Sequence, residues 1–549
     1  MSKSIKLSTV FGIVLMGTVL SILNNWEMGG ESWGYWYFSR LLSEGGGFVV
    51  HGRSPLYTLY LTAFNWMGYP TSVTVEYMFT TMMTLFAFIL LFKRFLGLWS
   101  AVFAALLWLI LMQFSEPPLH KLALACSFIG LFYRLKDGHR SALVLSYTFF
   151  SLAFMFRVTY IILLLIFIAW DFYVIVKDNK EKTFLQMLRP KINDWPLAAV
   201  IIMFFSFSFW QSAHLWNNVY NSTTIWFPTG ESKSLGDAGF LQVSNWEYML
   251  QKYGTFKDHD WYFTNQELFN GANNMIDAII ENPSFVFYQL IKNIKHLFAA
   301  SGQMLFISIF FSKYLLPILA LVILCSAFMS SNHHDVKIFV IANVLMLIST
   351  VVVLPKVRYM FPLIPVLTLS AYWFSNRINI FFGNKWKHLI MIIILIFFSR
   401  GLKDWARAGQ SFIDQFNSGK LTILENKDDS MKKSYHELNT MIQRCNGIMS
   451  LEHTFFGAFA NIPMSNVYDV WEIPPFGNLN DAEYKGLKPD RIDCLLISNN
   501  LSTNTGGGTN YQVRYENYIN PYAKQLIKMG AKVYKLPHYG KVVIYESTK

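Results

Sequence analysis

Long apolar segments constrain the fold of this chain more than any other feature of its sequence. Each approaches the length of about 20 residues that an α-helix needs to cross the hydrocarbon core of a bilayer. The clearest are Leu7–Leu23, Ser72–Phe92, Leu96–Met112, Leu119–Tyr133, Ser141–Phe156, Val158–Val176, Pro196–Ser212, Tyr314–Met329, Ile338–Leu354 and Tyr359–Phe374, with Leu389–Phe398 as a shorter addition. We therefore predict an α-helical polytopic membrane protein with about 11 transmembrane helices.

The amino-acid composition agrees with this prediction and excludes several other classes of protein. Apolar residues make up 53% of the 549 residues and charged residues only 15%, against about 25% charged residues in soluble globular proteins. A soluble chain of this size could not cover its surface with so few charges. The same composition excludes an intrinsically disordered chain, and 4 cysteines are too few for a disulfide scaffold.

The basic residues predict which helix ends face the cytoplasm. Short cytoplasmic loops of membrane proteins are enriched in Lys and Arg, and alternate loops of this chain carry them. After the N-terminal Lys3 and Lys6, these loops are Lys93-Arg94, Arg134–Arg140, Lys177–Lys191, Ser330–Lys337 and Arg377–Lys387. The net charge of +12 therefore reflects membrane topology, and we predict no nucleic-acid partner.

This topology puts two long loops and the C-terminal segment outside the cytoplasm. The first outer loop is 24–71 and the large outer loop is 213–313. We predict a transmembrane domain over residues 1–400 and a small extracytoplasmic α/β domain over residues 401–549. Its predicted strands are Ile492–Ser498 and Lys541–Tyr545, and its predicted helices are Ser430–Cys445 and Tyr518–Met529, the latter closed by Gly530.

The cysteines of this outer domain raise a question that the sequence leaves open. Cys445 and Cys494 would both lie in a compartment that permits disulfides. Their separation in space decides whether they are bridged.

Charged residues at the outer ends of the predicted spans are the candidates for chemistry. Charges at membrane depth are costly and usually functional. The candidates are Glu27, Glu31, Arg53, Glu116, Arg157, Lys356 and Arg358. The cations suit a phosphate leaving group, and a carboxylate could take the proton of an acceptor hydroxyl. The structural alternatives are a solvated loop acid, a helix cap at Glu116 and an Arg157 that reaches the lipid headgroups.

Four short segments at this outer edge resemble motifs of one family. They are Glu31–Arg40, with an acidic residue before an aromatic-rich helix, Arg53–Tyr57, Ser115–Leu119 and Pro355–Tyr359 with its following prolines. The chain resembles the C-type (GT-C) glycosyltransferases, membrane enzymes that use polyprenyl-phosphate sugars. Protein O-mannosyltransferases and the aminoarabinose transferases of lipid A belong to this superfamily. The resemblance covers roughly residues 5–400.

The resemblance implies a GT-C-like fold and assigns roles to the outer charges. Glu31 and Glu116 would be catalytic, and the donor phosphate would be bound by Arg157, Arg358, Arg53 and Lys356. This chain departs from the family in having Glu31-Ser32 where an Asp-Glu pair is usual, and Glu116 in place of Asp. The longer side chain moves the carboxylate by about one methylene. No cofactor is assigned with certainty, but Glu31 and Glu116 could hold a divalent cation, as only some family members do.

The predicted function is that of an integral membrane glycosyltransferase, a hexosyl- or pentosyltransferase of cell-envelope glycan biosynthesis. It would move a sugar from a polyprenyl-phosphate donor to a glycan, lipid or protein acceptor, at the extracytoplasmic face of the inner or plasma membrane. Its partners would be the lipid-linked sugar, the acceptor and membrane lipids. The alternatives are a glycan polymerase or ligase and a flippase or transporter of lipid-linked sugars. A carrier usually has polar groups at the bilayer midplane and inverted repeats, and no repeat is evident here.

Overall fold

The computed structural model describes the part of the chain on which all structural statements below rest. The described residues are 3–25, 30–44, 54–68, 71–109, 119–136, 140–178, 244–245, 247–249, 251–252, 261–272, 275–304, 334–353, 359–382, 410, 438–450, 467–469, 492–498, 515, 519–537 and 540–546.

Helices account for nearly all of the described residues before 383. They are α1 (Lys3–Asn25), α2 (Gly30–Ser43), α3 (Pro55–Thr62), α4 (Thr71–Leu96), α5 (Leu98–Leu109), α6 (Leu119–Arg134), α7 (Arg140–Phe156), α8 (Ile161–Asp178), α9 (Trp261–Phe269), α10 (Met275–Glu281), α11 (Pro283–Met304), α12 (His334–Val353) and α13 (Leu363–Phe382). The apolar segments therefore form helices wherever the structure describes them, and α13 starts four residues later and ends eight later than its predicted span.

Two of the described helices are long and apolar enough to cross a membrane by themselves, Thr71–Leu96 and His334–Val352. Three predicted spans, Pro196–Ser212, Tyr314–Met329 and Leu389–Phe398, lie outside the described residues. The helical class of the fold is confirmed, whereas the number of about 11 spans stays a prediction.

These helices have the reverse of the polarity expected for helices in water. Helix α4 buries Glu76, Thr80 and Thr84 but exposes 49% of Phe79, and α12 buries Asn343 but exposes 52% of Ile348. A helix at a water-facing surface instead turns its polar side chains outward. The outward faces of α4 and α12 are therefore suited to contact with lipid tails.

Close contacts between aromatic rings hold the centre of the helical part together. Phe88 and Phe92 of α4 both meet Phe128 of α6 edge-on, with ring centroids 5.7 and 5.6 Å apart. Phe150 of α7 stacks on Phe167 of α8 at 4.8 Å. A Cβ atom at Gly130 would lie 2.5 Å from the Phe150 ring, so this glycine is needed for α6 and α7 to approach.

A cluster of charged and hydroxyl groups joins four helices, α6, α7, α8 and α12, at the end of the bundle that we predict to face the cytoplasm. Nε of Arg134, the last residue of α6, donates to Asp335 of α12 at 2.9 Å. Its Nη1 donates to Asp171 of α8 at 2.9 Å, and the hydroxyl of Tyr147 donates to the same carboxylate. Because the Arg134 side chain is 7% exposed, it binds both acids inside the protein and fixes the end of α6 to α8 and to the start of α12.

The C-terminal part contains a 5-stranded sheet of order β2-β1-β3-β5-β4. The strands are β1 (Ile448–Ser450), β2 (Val467–Asp469), β3 (Cys494–Ser498), β4 (Lys532–Leu536) and β5 (Gly540–Ile544), and helix α14 (Asn520–Lys528) precedes β4. Strand β1 runs parallel to β2 and β3, whereas β5 is antiparallel to β3 and β4. The structure therefore has the α/β character that the sequence predicts.

The sequence predicts two of the five strands of this sheet and the helix before β4, and it misses the other three strands. Strands β3 and β5 and helix α14 are found where they are predicted, and Gly530, at φ +101°, follows the helix. The structure adds β1, β2 and β4. The predicted helix Ser430–Cys445 is too long at its C-terminal end, because the described part is helical only over residues 438–442.

A disulfide joins Cys445 to Cys494, with the Cα atoms 5.8 Å apart. This answers the question that the sequence leaves open. The neighbouring carboxylate of Asp493 accepts hydrogen bonds from the backbone amides of Asn446 and Gly447 at 2.9 and 3.0 Å. The bond therefore ties the segment before β1 to the start of β3.

Replacing Cys445 by Ser should destabilise the sheet. The disulfide closes a loop with a sequence separation of 49, and the loop entropy lost from the unfolded chain corresponds to about 4 kcal/mol. Amide hydrogen exchange in β3 and β5 of the full-length protein should become faster. Ser450→Ala, at the end of β1, is a control that leaves the disulfide intact. Equal exchange in wild type and Cys445→Ser would contradict the prediction.

Candidate functional site

Arg157 interrupts the helical chain at the junction that the sequence predicts. Its backbone is extended, at φ −145° and ψ 115°, and a 3-10 turn over Val158–Tyr160 leads into α8. The amide of Arg157 still donates to the carbonyl of Ala153 at 2.9 Å, so α7 is complete up to this point. The half-buried side chain of Arg157 therefore lies at the junction between the end of α7 and the start of α8.

The guanidinium of Arg157 lies against a group of aromatic rings that come from two other parts of the chain, the start of α6 and the segment before α13. Its central carbon is 4.8 Å from the centroid of the Tyr359 ring. Tyr359 lies between α12 and α13, and its ring is 5.8 Å from that of His120, in the first turn of α6. His120 is 4% exposed and stacks on Phe361 at 6.0 Å. The start of α6, the end of α7 and the residues just before α13 therefore meet around this group.

The first outer loop reaches the same place through Ser54. The Ser54 hydroxyl donates to the carbonyl of Met155 at 2.8 Å, two residues before Arg157. It also accepts from the amide of Tyr57 at 3.2 Å and so caps α3. The backbone amide of Ser54 donates to the hydroxyl of Tyr35 in α2 at 3.4 Å. Both helices of this loop are thereby connected to the end of α7.

A buried polar network lies beneath α3 and was not identified from the sequence. The carboxylate of Glu76 in α4 accepts from Thr80 at 2.8 Å and from the hydroxyl of Tyr57 at 3.3 Å. Lys121 of α6 is fully buried; its ammonium lies 3.6 Å from the Tyr77 ring centroid and donates to Thr81 at 3.1 Å. The signal was present, because both residues are charges inside predicted spans.

Of the predicted site residues, the structure describes only some, but it shows that residues near them in the sequence lie close together. The side chain of Arg157 is described. Glu31 lies in the first turn of α2, but its side chain is outside the described part, as are Glu116, Arg53, Lys356 and Arg358. Their described neighbours Ser54, His120 and Tyr359 lie around the end of α7 and Arg157. The roles of these charges stay predictions.

Apart from the predicted pair Glu31 and Glu116, the described residues offer no candidate for a metal centre. Within them, the only group of His, Cys, Asp or Glu with the required spacing is Cys445, Asp493 and Cys494. Those cysteines form the disulfide, and the Asp493 carboxylate is occupied by backbone amides.

Comparisons with known proteins find structural similarity and no sequence match. No family model matches the chain, and no curated protein matches it. It is similar to ArnT from Cupriavidus metallidurans bound to undecaprenyl phosphate, with a TM-score of 0.38, 10% identity and coverage of 100% of this chain and 99% of that one.

The second similarity is to the oligosaccharyltransferase of Archaeoglobus fulgidus. The TM-score is 0.44 with 10% identity, over 98% of this chain and 75% of that one. The same enzyme, AglB, in complex with an inhibitory peptide and a dolichol-phosphate, gives a TM-score of 0.42 at 10% identity. ArnT and AglB are both GT-C glycosyltransferases, the family whose motifs the sequence resembles.

Replacing Ser54 by Ala should loosen α3 from the end of α7. The substitution removes the helix cap and the bond to Met155, and each contributes about 1 kcal/mol. Backbone amides of α3 should therefore exchange with solvent roughly ten times faster or more. Thr62→Ala is the matched control, because the Thr62 hydroxyl is exposed and bonds only within α3, to Leu59. Equal exchange in the two variants would contradict the role of Ser54.

Proposed function

We propose that this protein is an integral membrane glycosyltransferase that transfers a sugar from a polyprenyl-phosphate donor to an extracytoplasmic acceptor. The observation that carries the proposal is the position of Arg157. It is a half-buried cation at the break between α7 and α8, beside Tyr359, with His120 next to that ring and Ser54 bonded to the end of α7. A cation held there by an aromatic face is suited to bind a phosphate that remains attached to a membrane lipid.

The proposed reaction uses the outer carboxylates and cations in separate roles. Glu31 takes the proton of the acceptor hydroxyl, and the resulting oxygen attacks the anomeric carbon of the donor sugar. The bond from that carbon to the phosphate oxygen breaks, with inversion, and the polyprenyl phosphate departs. Arg157, with Arg358, Arg53 and Lys356, stabilises the charge that develops on the leaving phosphate.

Glu116 is the second carboxylate of the proposed site. It would orient the acceptor or share the role of Glu31 as base. Carboxylate oxygens are also suitable ligands for Mg²⁺ or Mn²⁺. Glu31 and Glu116 are therefore the residues that we propose for a divalent cation, should the reaction use one.

Physical features of the described residues support the proposed location in the inner or plasma membrane. The outward apolar faces of α4 and α12 are suited to lipid. The Cys445–Cys494 disulfide is stable in an oxidising compartment and rare in the cytosol, which supports an extracytoplasmic C-terminal domain. A lipid-linked donor would be available at that face, where soluble nucleotide sugars are absent.

The described polar groups favour an enzyme over a carrier. Carriers bind substrate near the bilayer midplane. Glu76 is the sixth of the 26 residues of α4, and Lys121 is the third of the 16 residues of α6. Both charges therefore lie toward one end of their helices, the end that meets the Arg157 region.

Replacing Arg157 by Ala should weaken binding of undecaprenyl phosphate. Loss of hydrogen bonds to a charged phosphate costs about 1.5–3 kcal/mol, so the dissociation constant should rise by roughly 10- to 100-fold. It can be measured by native mass spectrometry of the protein in nanodiscs. The control is Lys177→Ala, an exposed cation in the last turn of α8, at the opposite end of that helix. An equal loss of binding in both variants would contradict a specific phosphate site.

Replacing Glu31 by Gln should slow sugar transfer. A general base contributes about 10²- to 10⁴-fold to a rate, and the amide cannot accept the acceptor proton. The measurement is the release of undecaprenyl phosphate in cell-envelope membranes that supply both the lipid-linked sugar and the acceptor, with the wild-type or the variant protein. Glu44→Gln is the control, because Glu44 pairs with Arg40 at 3.0 Å just beyond α2. A wild-type rate in Glu31→Gln would exclude Glu31 as the base.

A further inference from the structure

The strongest unassigned feature of the described residues is the buried carboxylate of Glu76. It is 0% exposed, lies inside α4 and has no part in the proposed reaction. We infer that Glu76 is a positioning residue, which fixes α3, and through it α2, against the outer end of α4. This inference rests on the proposed function, because α2 carries Glu31 and α3 starts beside the Arg157 turn.

Hydrogen bonds connect Glu76 to both tyrosines on the inner face of α3. Oε1 of Glu76 accepts from the hydroxyl of Tyr57 at 3.3 Å and from that of Thr80 at 2.8 Å. The hydroxyls of Thr80 and Tyr60 are 2.8 Å apart. Since Thr80 gives its one hydroxyl hydrogen to Glu76, Tyr60 is the donor in that pair. The carboxylate therefore accepts from α3 directly through Tyr57 and indirectly through Tyr60.

Tyr57 also contacts α2, the helix that contains the proposed base Glu31. Its ring meets that of Tyr35 edge-on, with centroids 5.0 Å apart. Tyr35 lies four residues, about one helical turn, after Glu31 in α2. The hydroxyl of Tyr35 accepts from the amide of Ser54. The position of α2 therefore depends on a ring whose hydroxyl is bound by Glu76.

The N-terminal end of α3 is bonded to the segment that precedes Arg157. Ser54, which caps α3, donates to the carbonyl of Met155 at the end of α7. A shift of α3 along α4 would break this bond and disturb the turn that presents the guanidinium. Glu76 is thus connected through α3 to two helices of the proposed site: to α2, which contains Glu31, and to the end of α7, next to Arg157.

A carboxyl group at this place needs a reason, because burying an ionisable side chain in an apolar span is expensive. Its other oxygen, Oε2, accepts no hydrogen bond from any residue in the described part of the chain. Lys121 on the neighbouring α6 interacts with the carboxylate electrostatically. An apolar side chain would fill the same space between α3 and α4 at lower cost, but it could not accept from Tyr57 or Thr80. The acceptor oxygen is therefore the property that a substitution must test.

The test compares Glu76→Leu, which removes the acceptor, with Glu76→Gln, which keeps one. The full-length protein in nanodiscs is followed by amide hydrogen exchange in α2 and α3 and by its affinity for undecaprenyl phosphate. In Glu76→Leu both helices should exchange roughly ten times faster, with a similar loss of affinity. Glu76→Gln should stay within about threefold of wild type for both quantities.

Two further variants separate positioning from a general loss of stability. Asn343→Leu is the matched control: Asn343 is a fully buried polar residue on α12, and its side-chain amide donates to the carbonyl of Phe339 in the same helix at 2.8 Å. It should leave exchange in α2 and α3 unchanged. Tyr57→Phe keeps the ring against Tyr35 and removes only the hydroxyl, so it should reproduce the faster exchange. It decides the question if Glu76→Leu does not fold.

The outcomes distinguish this inference from the proposed function. Faster exchange in Tyr57→Phe and Glu76→Leu, rescued in Glu76→Gln, supports the positioning role. Wild-type exchange in α2 and α3 of Tyr57→Phe and Glu76→Leu overturns it, as does an equal change in Asn343→Leu. Wild-type protein that does not bind undecaprenyl phosphate overturns the proposed function, while the exchange measurement still decides the role of Glu76.

Discussion

The structure depends on one constraint: polar groups inside an apolar bundle need hydrogen-bond or ionic partners, and several of them find these partners on other helices. Water is not available there, and an unsatisfied polar group costs several kcal/mol. At one end of the bundle Arg134 binds carboxylates from α8 and α12. In its interior the indole nitrogen of Trp108 in α5 donates to Thr368 of α13 at 2.9 Å. Near the other end Glu76 joins α4 to α3. These bonds fix the order and register of helices whose apolar contacts are not directional.

The candidate site follows from the same constraint. The break at Arg157 places a cation near the start of α3, the start of α6 and the residues before α13, and the Tyr359 ring provides a face against which it can rest. Ser54 supplies a hydrogen bond to the end of α7, so α3 is held to the site rather than left on the surface. A site at the end of a rigid bundle can present charges to a lipid phosphate without burying that phosphate in the hydrocarbon.

The sequence predicts those parts of the fold that local pattern determines. The apolar segments become helices, and the junction at Arg157 is found where it is expected, because the length and polarity of a segment decide both. Helix α14 and strands β3 and β5 are likewise recognisable from periodicity and from Gly530. Strands β1 and β2 have three residues each, which is too short for an alternating pattern to be seen.

Contacts between distant residues could not be predicted in this way. Cys445 and Cys494 come together only because β1 pairs with β3, and the separation in sequence gives no distance. Glu76 and Tyr57 meet because side chains of α3 pack against α4. A single charge in an apolar span signals function, but its partner is set by tertiary packing. The proposed roles of Glu31 and Arg358 depend on long-range placement of the same kind.

The central claim is that the protein adds a sugar to a molecule outside the cytoplasm, and mass spectrometry of cell-surface molecules tests it most directly. Glycans, lipids and proteins of the cell surface would be compared between cells that contain the protein and cells that lack it. Our account predicts that one class of these molecules loses the mass of a sugar residue when the protein is absent and regains it when the wild-type protein is restored. Surface molecules of identical mass in both kinds of cell would contradict the account.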